Sequence, residues 1–306
     1  MRRTSGQGVF FVEFEERRRH FCVCEATKGE DEKGMEQKSL MDESWLNWVE
    51  VNLERKCAPA GIKQILLDNG FAPGEIKAAM GASYPQDLAE VDYERLATVA
   101  LTKPESGAVK FNSDQIQLYT MERFLEASEC DALVAIIDGN LHPSTVTLES
   151  NDKYFRTSST CYLTEVGHPI VGVIDNRIAA TLGINIAYSE GIQAQKYRPG
   201  QQFKPHTDFF EPRTEEYKKH CHDTGNRTWT FMIYLSDVEK GGGTAFQEIG
   251  HTFFPKKGMA VIWNNLRPDG APNRFTLHSG EPVVSGEKII ITKWFRERGL
   301  GDMFLP

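Results

Sequence analysis

The chain has 306 residues, 40% of them hydrophobic and 25% charged, with a formal net charge of −8. That balance reads as soluble and globular and excludes the basic face that a nucleic-acid backbone demands. No apolar run approaches the roughly 20 residues needed to cross a bilayer, so neither nucleic acid nor membrane is an expected partner.

Residues 1–40 read as an irregular, flexible lead-in. The apolar stretch in MRRTSGQGVFFVEFEERRRHF is too short for a signal-peptide core and charges interrupt it at once, so a cytoplasmic protein is expected. ATKGEDEKGMEQKS is charged and has little to bury. The cysteines (Cys22, Cys24, Cys57, Cys130, Cys161 and Cys221) lack framework spacing and read as free thiols. Cys22 and Cys24 lie too close for the usual zinc pairing. Cys221 sits between His220 and His222, but no second pair stands at zinc-finger spacing.

Residues 41–105 read as a small helical domain. DESWLNWVEVNLERKC puts Trp45, Trp48, Val49 and Leu53 on one helical face, with Asp42 as N-cap. PAGIKQILLDNG repeats the pattern with Ile62, Ile65 and Leu66 and stops at Gly70. PGEIKAAMG is a third helix, with Pro73 near its start and Gly81 after it. PQDLAEVDYERLATVAL is a fourth. The Trp-rich face reads first as packing within the bundle. Its functional alternative is substrate docking or dimerisation.

TKPESGAVKFN, residues 102–112, looks like a linker. A strand-like IQLYTM follows, then a helix at SECDALVAIIDG with Ser128 as N-cap. IVGVIDNRIAATLG carries Ile170, Val173, Ile174 and Ile178 at helical spacing and stops at Gly183. From Glu190 onward the texture is β, in short runs bounded by Gly, Pro, Asn and Asp. Two helices followed by many short strands predict a double-sheet β-barrel with helices on its outside.

KPHTDFFEP (204–212) holds the first chemical signal. If extended, His206 and Asp208 point to the same side and can share one cation. His278 is the candidate third ligand. Two histidines and one carboxylate around an otherwise open metal are characteristic of non-haem Fe(II) oxygenases. Ten residues further on, Lys288 opens an apolar strand. A lysine pointing into a barrel is costly unless an anion meets it. Lys288 and Trp294 share parity, opposite to Ile289, Ile291 and Phe295. A buried ammonium near a metal ligand is what a dicarboxylate cosubstrate requires.

Five further stretches carry a resemblance: RTSST (156–160), QAQKYRPGQQFKPHTDFF (193–210), MIYLSDVEKGGGTAF (232–246), KKGMAVIWNNLRPDGAPN (256–273) and LHSGEPVVSGEKIIITKWFRERG (277–299). In order and spacing the chain resembles, from about residue 115 to 299, the prolyl 4-hydroxylase family of Fe(II)/2-oxoglutarate dioxygenases. The resemblance implies an α+β fold: a double-stranded β-helix (jelly-roll) barrel with flanking helices over 112–306, preceded by the helical domain. It implies Fe(II) ligation by His206, Asp208 and His278. It implies that Lys288 binds the far carboxylate of 2-oxoglutarate, with Tyr197 and Thr244 beside it, and that Arg156, Arg227 and Trp294 surround a peptide groove. O2 and, as reductant, ascorbate complete the cofactor set.

Peptidyl-proline 4-hydroxylation with release of succinate and CO2 is then the expected reaction on a proline-containing peptide or protein. Hydroxylation of a free amino acid or other small molecule is the nearest alternative, and a catalytically silent module sensing 2-oxoglutarate or iron is the alternative of another class. Asp208 separates the pattern from halogenase relatives, which lack the carboxylate. Phe203 departs from it, because many members carry tyrosine three residues before the first ligand. Ordinary readings stand beside these roles: ion pairs for Arg156 and Arg227, packing for Tyr197 and Trp294, and loop or surface positions for His220, His222 and His251.

Overall fold

Asp42 starts the first helix, α1 (Glu43–Glu54), by accepting a hydrogen bond from the Trp45 amide at 3.0 Å. It belongs to a computed structural model that describes residues 41–85, 91–144, 154–212 and 214–306. The expected lead-in at residues 1–40 lies outside the described residues. Helices α2 (Pro59–Asp68) and α3 (Pro73–Met80) each begin with proline, whose missing N–H costs nothing in a first turn. Val49, Ile62, Leu66, Ile76 and Met80 close a core of their own with Phe71 and Tyr84. Trp45, Trp48 and Leu53 border that core and are only partly buried. Ile65, read as inward-facing, is 41% exposed, because Ile62 and Leu66 one turn apart already fill the buried stripe.

The expected fourth helix is a single turn, α4 (Tyr93–Leu96), capped by the Asp92 side chain. Residues 86–90 lie outside the described residues. Leu96, Val99 and Leu101 pack into the barrel's core and not into the bundle, and the Leu96 carbonyl accepts from Trp229 Nε1 at 3.0 Å. Tertiary burial overrides local helix propensity here.

The remaining elements are β1 (Val109–Lys110), β2 (Leu118–Met121), α5 (Ala127–Asp138), β3 (His142–Pro143), β4 (Ser159–Tyr162), α6 (Leu163–Val166), α7 (Pro169–Leu182), β5 (Gln193–Tyr197) and β6 (Phe203–His206). After them come α8 (Glu215–Cys221), β7 (Arg227–Tyr234), β8 (Lys240–Gly241), β9 (Thr244–Phe246), β10 (His251–Phe253), β11 (Ala260–Asn264), β12 (His278–Gly280), β13 (Val283–Ser285) and β14 (Lys288–Arg296). The segment read as a linker therefore contains β1. Ser128 lies inside α5, whose cap is Glu126: its amide donates to the Glu129 side chain at 3.0 Å, a longer reach than serine has. In α7 the buried set is Val171, Ile174, Ile178 and Leu182, while Val173 is 57% exposed. Gly183 ends α7 at φ +72°.

An eight-stranded sheet in the order β1-β2-β11-β7-β14-β5-β4-β3 and a four-stranded sheet in the order β10-β9-β12-β6 form the jelly roll, with antiparallel pairing throughout the central strands. Alternation along β7 and β14 divides the core. Phe231, Ile233, Ile289, Ile291 and Phe295 pack in one cluster with the α5 and α7 side chains, and Met232, Tyr234 and Ile290 pack in another with Phe246 of the small sheet. Among the described residues no helix is long and apolar enough to cross a membrane.

The glycine run before β9 is set by sterics. Gly241 has φ +77°, and a Cβ there would lie 2.4 Å from the Pro282 carbonyl oxygen. Gly241→Ala is expected to cost about 1–3 kcal/mol, read as a lowered thermal unfolding midpoint. An unchanged midpoint would contradict this close approach.

Candidate active site

The two candidate histidine ligands come from paired strands. His206 ends β6, His278 begins β12, and they are register partners, so their rings stand 4.4 Å apart between centroids. Asp208 arrives differently from the expectation. The strand stops at His206, and a bend carries Asp208 back toward the histidines. Its Oδ2 lies 3.9 Å from His278 Nε2, and one ligand atom from each of the three residues falls within 4.8 Å of the others. Among the described residues this is the only such cluster of His, Cys, Asp or Glu.

Both rings are oriented by main-chain carbonyls: His206 Nδ1 bonds Lys204 O and His278 Nδ1 bonds Thr276 O, each at 2.8 Å. A carbonyl only accepts, so each neutral ring carries its proton on Nδ1 and keeps the Nε2 lone pair for a metal. Burial, reinforced by His278, lowers His206 to about 3 and keeps it neutral. Burial pushes the Asp208 carboxyl up, but the two histidines, Arg227 and the Thr230 hydroxyl outweigh it and hold the group below its usual range. Two imidazoles that present Nε2 and one ionised carboxylate fit Fe(II).

Lys288 is buried beside this cluster, on a wall shared with Tyr197, its register partner in β5. Its Nζ donates to Thr244 Oγ1 at 3.2 Å and to Gly243 O at 3.3 Å. Both partners are neutral, and among the described residues no carboxylate forms an ion pair with it. Burial drives its pKa down to about 7, with Glu281 the acidic group that opposes the fall. Tyr234 donates to Thr244 Oγ1 at 2.7 Å and thereby fixes that hydroxyl. The floor is therefore a cation with hydroxyls around it and no anion.

One cavity joins floor and metal cluster. His206, Asp208, His278, Lys288, Tyr197 and Thr244 all line it, and so do Arg156 and Trp294. Arg227 does not. Its planar fork donates to Glu190 at 2.6 and 2.7 Å, and its guanidinium lies 4.0 Å from the Trp294 ring centroid. Arg156 donates to Ser158, Thr160 and Gln193. Phe203 stacks on His206 with centroids 3.5 Å apart, under the Arg156 guanidinium. The Trp294 indole N–H is buried and has no partner among the described residues.

Residues 192–296 match the family model described as the 2OG-Fe(II) oxygenase superfamily. The chain is 37% identical over 158 residues to human prolyl 4-hydroxylase subunit alpha-1, covering 52% of this chain and 29% of that one. It is 30% identical over 227 residues to prolyl 4-hydroxylase 2 of Arabidopsis thaliana, covering 65% of this chain and 74% of that one. The chain belongs to the prolyl 4-hydroxylase family of 2OG-Fe(II) oxygenases. It spans less than a third of the length of the alpha-1 subunits it matches. A solved structure of a viral collagen prolyl hydroxylase from Paramecium Bursaria Chlorella virus-1 shows a TM-score of 0.47 at 26% identity, over 58% of this chain and 95% of that chain.

His220, His222 and His251 stay apart from the cluster. His220 stacks on Phe210 at 5.3 Å, His222 contacts Asp223, and His251 sits 4.5 Å from Phe253. Cys221 is a buried free thiol that burial pushes up to about 12. Sequence reasoning passed over Thr230 and Asn265, which are fully buried behind Asp208. The signal was available: Thr228 and Thr230 fall on the inward parity of an otherwise apolar β7.

Proposed function

We propose that this chain is an Fe(II)- and 2-oxoglutarate-dependent dioxygenase that hydroxylates proline within a peptide or protein, at C4, releasing succinate and CO2. The observation that carries the reading is one cavity lined by His206, Asp208 and His278 and floored by an ammonium that forms no ion pair among the described residues. The three ligands would hold Fe(II), which when bound supplies the activation of O2 that drives oxidative decarboxylation. Lys288 would grip the far carboxylate of 2-oxoglutarate, with Thr244 and Tyr197 shaping the floor. Ascorbate is the proposed reductant that keeps the iron ferrous. Arg156 and Trp294 face the substrate, and Arg227 acts by holding Trp294 in place.

The cavity also favours peptide over free amino acid. Among the described residues Asp208 is the only carboxylate in its lining, and the metal would claim it. The α-ammonium of a free amino acid would find no other anion among those residues, whereas a peptide bond carries no such charge. The test is succinate release with Fe(II), ascorbate and 2-oxoglutarate, with a proline-rich peptide or free proline added. Stimulation of about tenfold or more by the peptide and none by free proline is expected. Stimulation by free proline alone would move the assignment to a small-molecule hydroxylase, and no turnover under any condition would favour a silent sensor.

A further inference from the structure

Behind Asp208 runs a chain of buried hydrogen bonds in which every proton has one permitted direction. Trp263 Nε1 donates to Asn265 Oδ1 at 3.0 Å, Asn265 Nδ2 donates to Thr230 Oγ1 at 2.8 Å, and Thr230 Oγ1 donates to Asp208 Oδ2 at 2.8 Å. The indole N–H can only donate, so it fixes which end of the Asn265 amide is oxygen. The amide nitrogen can only donate in turn, so the Thr230 hydroxyl must accept from it and direct its one proton at Asp208. The ionised carboxylate can only accept. Trp263, Asn265 and Thr230 are at most 1% exposed, so water does not substitute for a missing link. The same Trp263 ring packs edge-on against His278, 4.9 Å between centroids.

We propose that Thr230, set by Asn265 and Trp263, is a positioning residue. It fixes the rotation of the Asp208 carboxylate, and the network places that carboxylate and the His278 ring as one unit for the metal. The inference rests on the metal reading given above and adds to it a named support that the ligands themselves do not supply. Without the Thr230 hydroxyl, Asp208 is free to turn about its Cβ–Cγ bond. A fraction of its orientations then faces away from the ion.

The test uses Co(II) as probe, titrated into the metal-free full chain and followed by calorimetry and by the visible absorption of the bound ion. The wild type is expected to bind one equivalent at a site that Asp208→Ala removes. Thr230→Val keeps shape but loses the hydroxyl, and is expected to weaken Co(II) binding by about 10–100-fold and alter the absorption bands, with a lowered metal-free unfolding midpoint because the Asn265 amide N–H loses its acceptor. Thr230→Ser restores the donor and is expected to bind like the wild type. Asn265→Ala frees the Thr230 hydroxyl to turn, should weaken binding in the same direction, and decides the matter if Thr230→Val does not fold. Wild-type affinity and bands in Thr230→Val or, failing that, in Asn265→Ala overturn the proposal. Wild-type protein that binds no Co(II), or binds it equally after Asp208→Ala, overturns the metal reading and this proposal with it.

Discussion

Asp208→Ala is expected to reduce succinate release from 2-oxoglutarate by more than about a thousandfold while the chain stays folded. Removing the carboxylate leaves two neutral imidazoles to hold a dication, without the one negative charge in the cluster. The loss falls on the number of active molecules, so raising 2-oxoglutarate does not rescue turnover. The fold survives because Asp208 lies in a bend after β6 and not within a sheet ladder. The measurements are turnover at saturating Fe(II) and cosubstrate and a thermal unfolding curve. Wild-type turnover in this variant would refute the ligand assignment.

Lys288→Ala is expected to act on the other substrate: the KM for 2-oxoglutarate should rise by about a hundredfold or more, with a smaller change in kcat. Cosubstrate buried in that cavity without the ammonium would leave its far carboxylate unpaired. Lys288→Met, which keeps the stem's volume, should behave similarly and separates charge from cavity effects. The pH dependence follows from the same residue. With the Lys288 pKa near 7 in the cosubstrate-free protein, the ammonium is mostly present at pH 6 and mostly absent at pH 8. Only the charged form pairs with the diacid, so affinity should fall as pH rises, by about tenfold per pH unit above 7, with a proton taken up on binding. Calorimetry with Mn(II) in place of iron, in buffers of different ionisation enthalpy, measures both quantities. A 2-oxoglutarate affinity constant from pH 6 to 9, or unchanged in Lys288→Met, would contradict the role.

Much of this was written locally in the chain. Period-two alternation in β14 put Lys288 and Trp294 on the cavity face and Ile289, Ile291 and Phe295 on the other, as the structure shows. The Asp42 cap and the Gly183 stop needed only neighbouring residues. The misreadings at Ile65, Val173 and Ser128 concern which of several allowed faces or caps is used, and packing settles that choice.

The sequence by itself determined the residue types, their strand parity and the spacing that brings a metal triad and a lysine into one barrel. Only the tertiary structure decided which charges are free. Among the described residues three lysines are buried. Lys196 meets Asp138 and Glu287 at 2.8 and 2.9 Å, Lys293 meets Asp175 at 2.5 Å, and Lys288 meets no carboxylate among the described residues. Likewise Arg227 is neutralised by Glu190, and Asp208 is held by Thr230. Strand alternation is a short-range property of the backbone. Neutralisation depends on partners that stand 22 to 118 positions away along the chain and meet only when the sheets close.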